Sequence, residues 1–169
     1  MKTSLPFNSA LQDQPHDYLD SYAVSLDTNS VTIEQIGRAF FSASPVWVDR
    51  LLEARNRMVK MVGLKVSGAG TKEKVLKNFH CEVGESVALF HVLAKTENEA
   101  IFGEDDKHLN FRVSLFLDRA QNLLTVSTLV KIHNNLGHVY MFGVKPFHKI
   151  IVPTITKGIS NEINKTRFS

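Results

Sequence analysis

The stretch from Gly103 to Ile132, GEDDKHLNFRVSLFLDRAQNLLTVSTLVKI, holds the pattern on which the fold turns. Between Asp106 and Leu117, polar and apolar residues alternate. Asp106, His108, Asn110, Arg112 and Ser114 share one parity, and Leu109, Phe111, Val113, Leu115 and Leu117 share the other. Such alternation marks a strand with one buried face. A turn over Arg119 to Asn122 would fold the next run back so that Leu117 opposes Leu124, Leu115 opposes Val126, Val113 opposes Thr128, Phe111 opposes Val130 and Leu109 opposes Ile132. The two apolar faces then coincide, whereas a slip of one residue would aim every side chain at the wrong side. On the other face the same register sets Ser114 against Ser127, Asn110 against Lys131 and His108 against His133.

Outward from this hairpin, a tight turn around Asp105 and Asp106 predicts a third strand, with Phe102 opposite Leu109 and Ala100 opposite Phe111. The run Val87 to Lys95 before it is apolar on both parities. A turn inside Thr96 to Glu99 would bring Val87, Leu89, His91 and Leu93 onto the inner face. Val75 to Cys81 reads as a further strand. Downstream, from about Leu136 to Ile163, Tyr140, Gly143, Val144, Phe147, Ile150, Ile151, Thr154, Ile155 and Gly158 recur at helical spacing. Pro146 and Pro153 fall on the opposite side, as in a helix kinked convex to solvent and wrapped over a sheet. Its start lies near Leu136 or, alternatively, at Pro146, and residues 164–169 form a tail.

Residues 1–17 read as an irregular arm before a first strand, Tyr18 to Leu26. Thr32 and Gln35 have the spacing of a capping box, and Ile33, Ile36, Phe40 and Ala43 follow at helical spacing. Ser44 and Pro45 end this helix and open a second one, Pro45 to Val62. Val48, Leu51, Leu52, Met58, Val59 and Val62 fall on one arc of it, with Arg55 in the middle. Gly63, Gly68 and Gly70 mark a connection up to about Glu73.

The chain has 169 residues, 43% of them hydrophobic, which suits one domain with one core. Its net charge of +3, from 20 basic and 17 acidic residues, does not imply a nucleic-acid partner. One cysteine, Cys81, excludes an internal disulfide, and the N-terminal residues lack the apolar run of an export signal, so the cytoplasm is the expected location. No window approaches the roughly eighteen apolar residues of a transmembrane segment. No cofactor is implied, and the oligomeric state is left open.

The order strand, two helices, antiparallel meander, long terminal helix resembles the START-like superfamily, also called SRPBCC, helix-grip or Bet v 1-like. Within it the chain is most similar to a bacterial family of domains of unknown function. The blocks IGRAFFSASPVWVDRLLEARNRMVKMVGLK, GEDDKHLNFRVSLFL and VKIHNNLGHVYMFGVKPFHKIIVP carry the likeness and span most of the chain. The resemblance implies an α+β fold in which a curved antiparallel sheet grips the last helix across an apolar cavity. It implies no established activity.

Several residues stand out as candidates for function. A guanidinium on a buried helix face costs roughly 3–5 kcal/mol if left unpaired. Arg55 therefore pairs with an acid such as Asp17 or Asp20, snorkels past the helix rim, or anchors the carboxylate or phosphate of a ligand. His91 and Tyr140, if inward, orient a ligand or act as acid or base, although such groups are more often core residues with one satisfied hydrogen bond. Trp47, Phe40 and Phe41 read as packing or a cavity lip. The polar ladder from Asp106 to Ser114 reads as the wet side of the sheet. A surface site on Asp106, His108, Arg112 and His133 is the alternative, and two histidines alone are too few for a metal site. No nucleophile motif surrounds Cys81, and no phosphate-binding glycine loop occurs.

These features favour binding of a small apolar or amphipathic molecule between sheet and terminal helix. Phe102, Leu109, Phe111, Val113, Val130, Tyr140, Phe147 and Ile151 form the expected wall, with Arg55 and His91 as polar contacts. The alternatives are a cyclase- or hydratase-like enzyme, which needs Arg55, His91 and Tyr140 to converge, and a structural or partner-binding domain. The last would show an outer apolar patch around Phe90, Val92 and Phe116.

Overall fold

The computed structural model describes residues 1–27, 30–44 and 72–166. The expected second helix, with Trp47 and Arg55, and most of the glycine-bearing connection after it lie outside the described residues. The elements are β1 (Lys2–Thr3), β2 (Tyr18–Ser25), α1 (Ile33–Ser42), α2 (Lys72–Lys77), β3 (Ser86–Val87), β4 (Phe90–Lys95), β5 (Glu99–Asp105), β6 (Leu109–Asp118), β7 (Leu123–Ile132) and α3 (Asn135–Thr166). The described strands form one seven-stranded antiparallel sheet in the order β1-β2-β7-β6-β5-β4-β3. The class is α+β, with α3 packed against β2, β7 and α1.

The β6–β7 hairpin has the register read from its sequence, from Leu109 opposite Ile132 to Leu117 opposite Leu124. Its turn ends on Asn122 at φ 49°, a left-handed conformation that asparagine tolerates well. The inner face supplies Val113, Leu115, Leu117, Leu124, Val126 and Val130 to the core. α1 begins as its sequence predicts. Gln35 N donates to Thr32 Oγ1 at 3.2 Å and Thr32 N donates to Gln35 Oε1 at 2.9 Å, so exposed amides of the first turn are satisfied reciprocally. Close approach of α1 and α3 depends on Gly158, where an added methyl would come within 2.9 Å of Ala43 Cβ.

Several expectations are corrected. Phe102 pairs with Val113, not Leu109, and Ala100 with Leu115, not Phe111. The turn is centred beyond Asp106, where Asp106 N donates to Leu109 O. The shift is even, so parity survives and the apolar faces still agree. Val75 to Cys81 is not a strand, since α2 ends at Lys77. Lys72, Glu73, Lys74, Leu76 and Lys77 are good helix formers, and Val75 and Phe79 stand one helical turn apart.

The run Val87 to Lys95 is two strands with a turn at Ala88 and Leu89, and the β4–β5 register shifts between Val92 and Ala94. As a result Val92, opposite Phe102, is buried, whereas His91 and Leu93 lie on the outer face. α3 extends through the expected tail to Thr166. Its buried face is Met141, Val152, Ile155 and Ile159, turned by about one residue, roughly 100°, from the expected stripe. Phe147 and Ile150, expected inward, are 48% and 60% exposed. Apolar residues run nearly all round this helix, so periodicity alone could not orient it.

The outer face of the sheet is dry at its centre, against the expectation that water explains the polar ladder. The arm before β2 crosses it. Leu11 is fully buried against Ile101 and Leu129, with Leu5, Leu19 and Ala94 around them. Beneath the arm, Glu99 accepts from Ser9 Oγ at 2.6 Å, Ala10 N at 2.9 Å and Ser114 Oγ at 2.5 Å. Ser114 is polar because it serves a buried carboxylate, and Ser21 donates to Ser127 nearby at 2.8 Å.

Candidate functional site

β2 presents Tyr18, Asp20, Tyr22 and Val24 on the inner face, opposite Val130, Thr128, Val126 and Leu124 of β7. Period-two geometry thus places a carboxylate in line with two phenols on the side that α3 covers. Asp20 is only 6% exposed. Its Oδ2 accepts a 2.6 Å hydrogen bond from Tyr18 Oη, and its Oδ1 is buried with no hydrogen-bond partner among the described residues. From α3, the imidazole of His148 meets the Tyr18 ring edge-on, with centroids 6.1 Å apart and planes at 76°. His148 Nδ1 is likewise buried with no hydrogen-bond partner among the described residues. Lys145, nearly one turn earlier, holds its ammonium 5.5 Å from the Tyr18 ring centroid.

A cleft of about 400 Å³ opens beside this cluster, lined by Lys2, Asp17, Tyr18, Leu19, Asp20, Tyr22, Lys145 and Lys149. Asp17 is engaged at its edge, accepting from Ile132 N at 2.7 Å and lying 3.2 Å from Lys131 Nζ. The backbone bond first, and Lys131 second, hold its carboxyl below the ordinary range. The lysines leave the rim suited to an anionic group, while Asp20 Oδ1 requires a donor.

Protonation follows from burial. Desolvation lowers the pKa of His148, with the negative charge of Asp20 working in the opposite sense, so the ring is predominantly neutral at pH 7. Burial first, then the hydrogen bond to Asp20, raises Tyr18, and burial and Asp20 raise Tyr22. Both phenols stay protonated. Cys81 is fully buried and its thiol is pushed up to about 12, mainly by desolvation, which removes it as a nucleophile.

Among the described residues, none of those expected to line a cavity lines this cleft. Phe102 is fully buried in an aromatic cluster, stacked on Phe40 at 5.9 Å and edge-on to Phe41 at 5.4 Å. Phe111 meets Phe90 at 5.5 Å at the margin of that cluster. Val113 and Val130 are buried, Leu109, Tyr140 and Ile151 are half-buried, and Phe147 is substantially exposed. His91 is corrected outright. It is on the outer face, 2.8 Å from Glu104, because the short β3–β4 hairpin reverses the parity expected of one continuous strand. His91 and Tyr140, from opposite sides of the sheet, do not converge, and Arg55 lies outside the described residues. Of the outer patch expected around Phe90, Val92 and Phe116, Phe90 and Val92 point into the core and Phe116 is half-buried.

On the polar ladder, Arg112 pairs with Asp105 at 2.6 Å and His108 Nδ1 lies 3.1 Å from Asn134 Oδ1. Among the described residues no group of three or more His, Cys, Asp or Glu could hold a metal ion, and no helix is long and apolar enough to cross a membrane. Sequence reasoning treated Asp20 only as a possible partner for Arg55 and passed over His148. The available signal was a carboxylate on the parity of Tyr18, Tyr22 and Val24.

A family model described as "Protein of unknown function (DUF2867)" matches residues 14–155, and the chain belongs to that family. No curated protein and no solved structure matches it.

Proposed function

We propose that this member of the DUF2867 family binds a small amphipathic molecule where β2 meets α3, on a scaffold of the helix-grip, START-like kind. The strand order supports the scaffold, because the first long strand pairs with the last and the meander of intervening strands continues the sheet beyond that last strand. The observation that carries the binding reading is a pair of buried polar atoms with no hydrogen-bond partner among the described residues, Asp20 Oδ1 and His148 Nδ1, beside a cleft that Asp20 lines and whose rim bears Lys2, Lys145 and Lys149. Burying such atoms unmatched costs about 1–3 kcal/mol each. A ligand hydroxyl or amide donating to Asp20, with a carboxylate or phosphate at the lysines, would offset that cost. The ring faces of Tyr18 and Tyr22 would take the apolar part.

The test is native mass spectrometry of the folded protein from its own host, beside the Lys145→Glu/Lys149→Glu variant. A small-molecule adduct on the wild type that the variant loses is the expected result. Bare chain in both would count against the reading, as would an adduct that survives the charge reversal.

A cyclase- or hydratase-like enzyme is favoured by one feature, a neutral imidazole with a free nitrogen close to a carboxylate. His148 would then serve as general base. That reading requires turnover whose rate falls as pH drops through the depressed pKa of His148, and pH-independent turnover would exclude it.

A further inference from the structure

The solvent-facing side of α3 has a composition that neither the core nor the cleft uses. Phe142 is 86% exposed, Val139 69%, Ile150 60%, Phe147 48% and Leu136 38%. At about 100° per residue these side chains occupy one sector of the helix. Scattered exposed apolar residues are ordinary, but a run of them along about four turns of a single helix marks a contact surface.

The charges that α3 itself places around the sector are of one sign. Lys145 and Lys149 are exposed along one edge, Lys157 is exposed beyond Ile150, and no Asp or Glu occurs between Asn135 and Asn161. A protein partner with a mixed surface would meet no anionic counterpart on this helix. An anionic bilayer surface supplies both needs, since its acyl boundary accepts Phe142 and Ile150 and its head groups attract the lysines. The helix cannot cross a bilayer, so it would lie along it.

We infer that the exposed face of α3 docks on anionic lipid surfaces, with Val139, Phe142 and Ile150 inserted and Lys145, Lys149 and Lys157 at the head groups. Lys145 and Lys149 border the proposed ligand cleft as well, but the inserted side chains do not line it, so their replacement tests this face separately from that reading.

The experiment is vesicle flotation of the full chain at low salt, comparing phosphatidylcholine vesicles with vesicles that also contain phosphatidylglycerol. Wild type should bind the anionic vesicles about ten-fold or more better than the neutral ones, and added salt should weaken that binding. The Val139→Ser/Phe142→Ser/Ile150→Ser variant should lose binding with an unchanged melting temperature. Absence of wild-type binding would overturn the inference, as would full binding by the triple variant. Two further results would reassign the face. A wild-type dimer in sedimentation velocity that the triple variant splits, without vesicle binding, would give it to a second copy. A large fall in melting temperature without vesicle binding would give it to the protein's own chain.

Discussion

At the α1 end of the space under the sheet, Phe40, Phe41, Phe79, Phe90 and Phe102 fill the interior ring against ring, with centroids between 5.0 and 6.4 Å. At the β2 end the same sheet meets α3 through Tyr18, Asp20 and His148, and two of their buried polar atoms have no hydrogen-bond partner among the described residues. The first arrangement is what burial alone selects, because aromatic rings in edge and stacked contact gain both area and pair energy. The second is what burial alone would eliminate, since an apolar residue in place of Asp20 would remove an unmet demand. The difference teaches where to look for function, in the end that stability does not explain.

The largest effect belongs to the aromatic end. Phe102→Ala should cost about 3–5 kcal/mol in urea unfolding, because the surrounding rings cannot close the space. If it cost under about 1 kcal/mol, the two ends would not differ as described.

A satisfied polar network offers the next test. Glu99, unlike Asp20, has donors on both oxygens, so Glu99→Ala should cost about 3 kcal/mol and loosen the arm carrying Leu11. Hydrogen exchange at Ala10 and Leu11 would report that loosening. Tyr18→Phe should be milder, about 2 kcal/mol, since it removes the one hydrogen bond described for Asp20.

The smallest effect is on pH dependence. Because the fold depresses His148, its contribution is present above the unfolded value near 6.5 and is lost as pH falls toward the folded value. Wild-type stability should therefore drop faster below about pH 6.5 than that of His148→Phe, and parallel curves would show that burial does not hold the ring neutral.

Much of the fold could be read locally. The pairing of Leu109 with Ile132 follows from parity and turn length, and the Thr32–Gln35 box from spacing. Interactions of that range leave a signature in a short window of sequence. The rotation of α3 does not, because Ile150 and Val152 look equally suited to a core until the neighbours are known. His91 was misplaced by a break at Ala88 and Leu89 in a run apolar on both parities, where alternation carries no information. The candidate site was least legible of all. Asp20 and His148 lie far apart in sequence, and neither is unusual until the fold shows both to be buried and unmatched.

The most direct measurement is the unfolding free energy of Tyr18→Phe/Asp20→Val, which replaces both partners of the hydrogen bond with apolar groups. If the polar pair exists for binding, the double variant should be as stable as wild type to within about 1 kcal/mol, or more stable. A loss of more than about 2 kcal/mol would show that the pair holds the fold together, and the case for a site between β2 and α3 would fail.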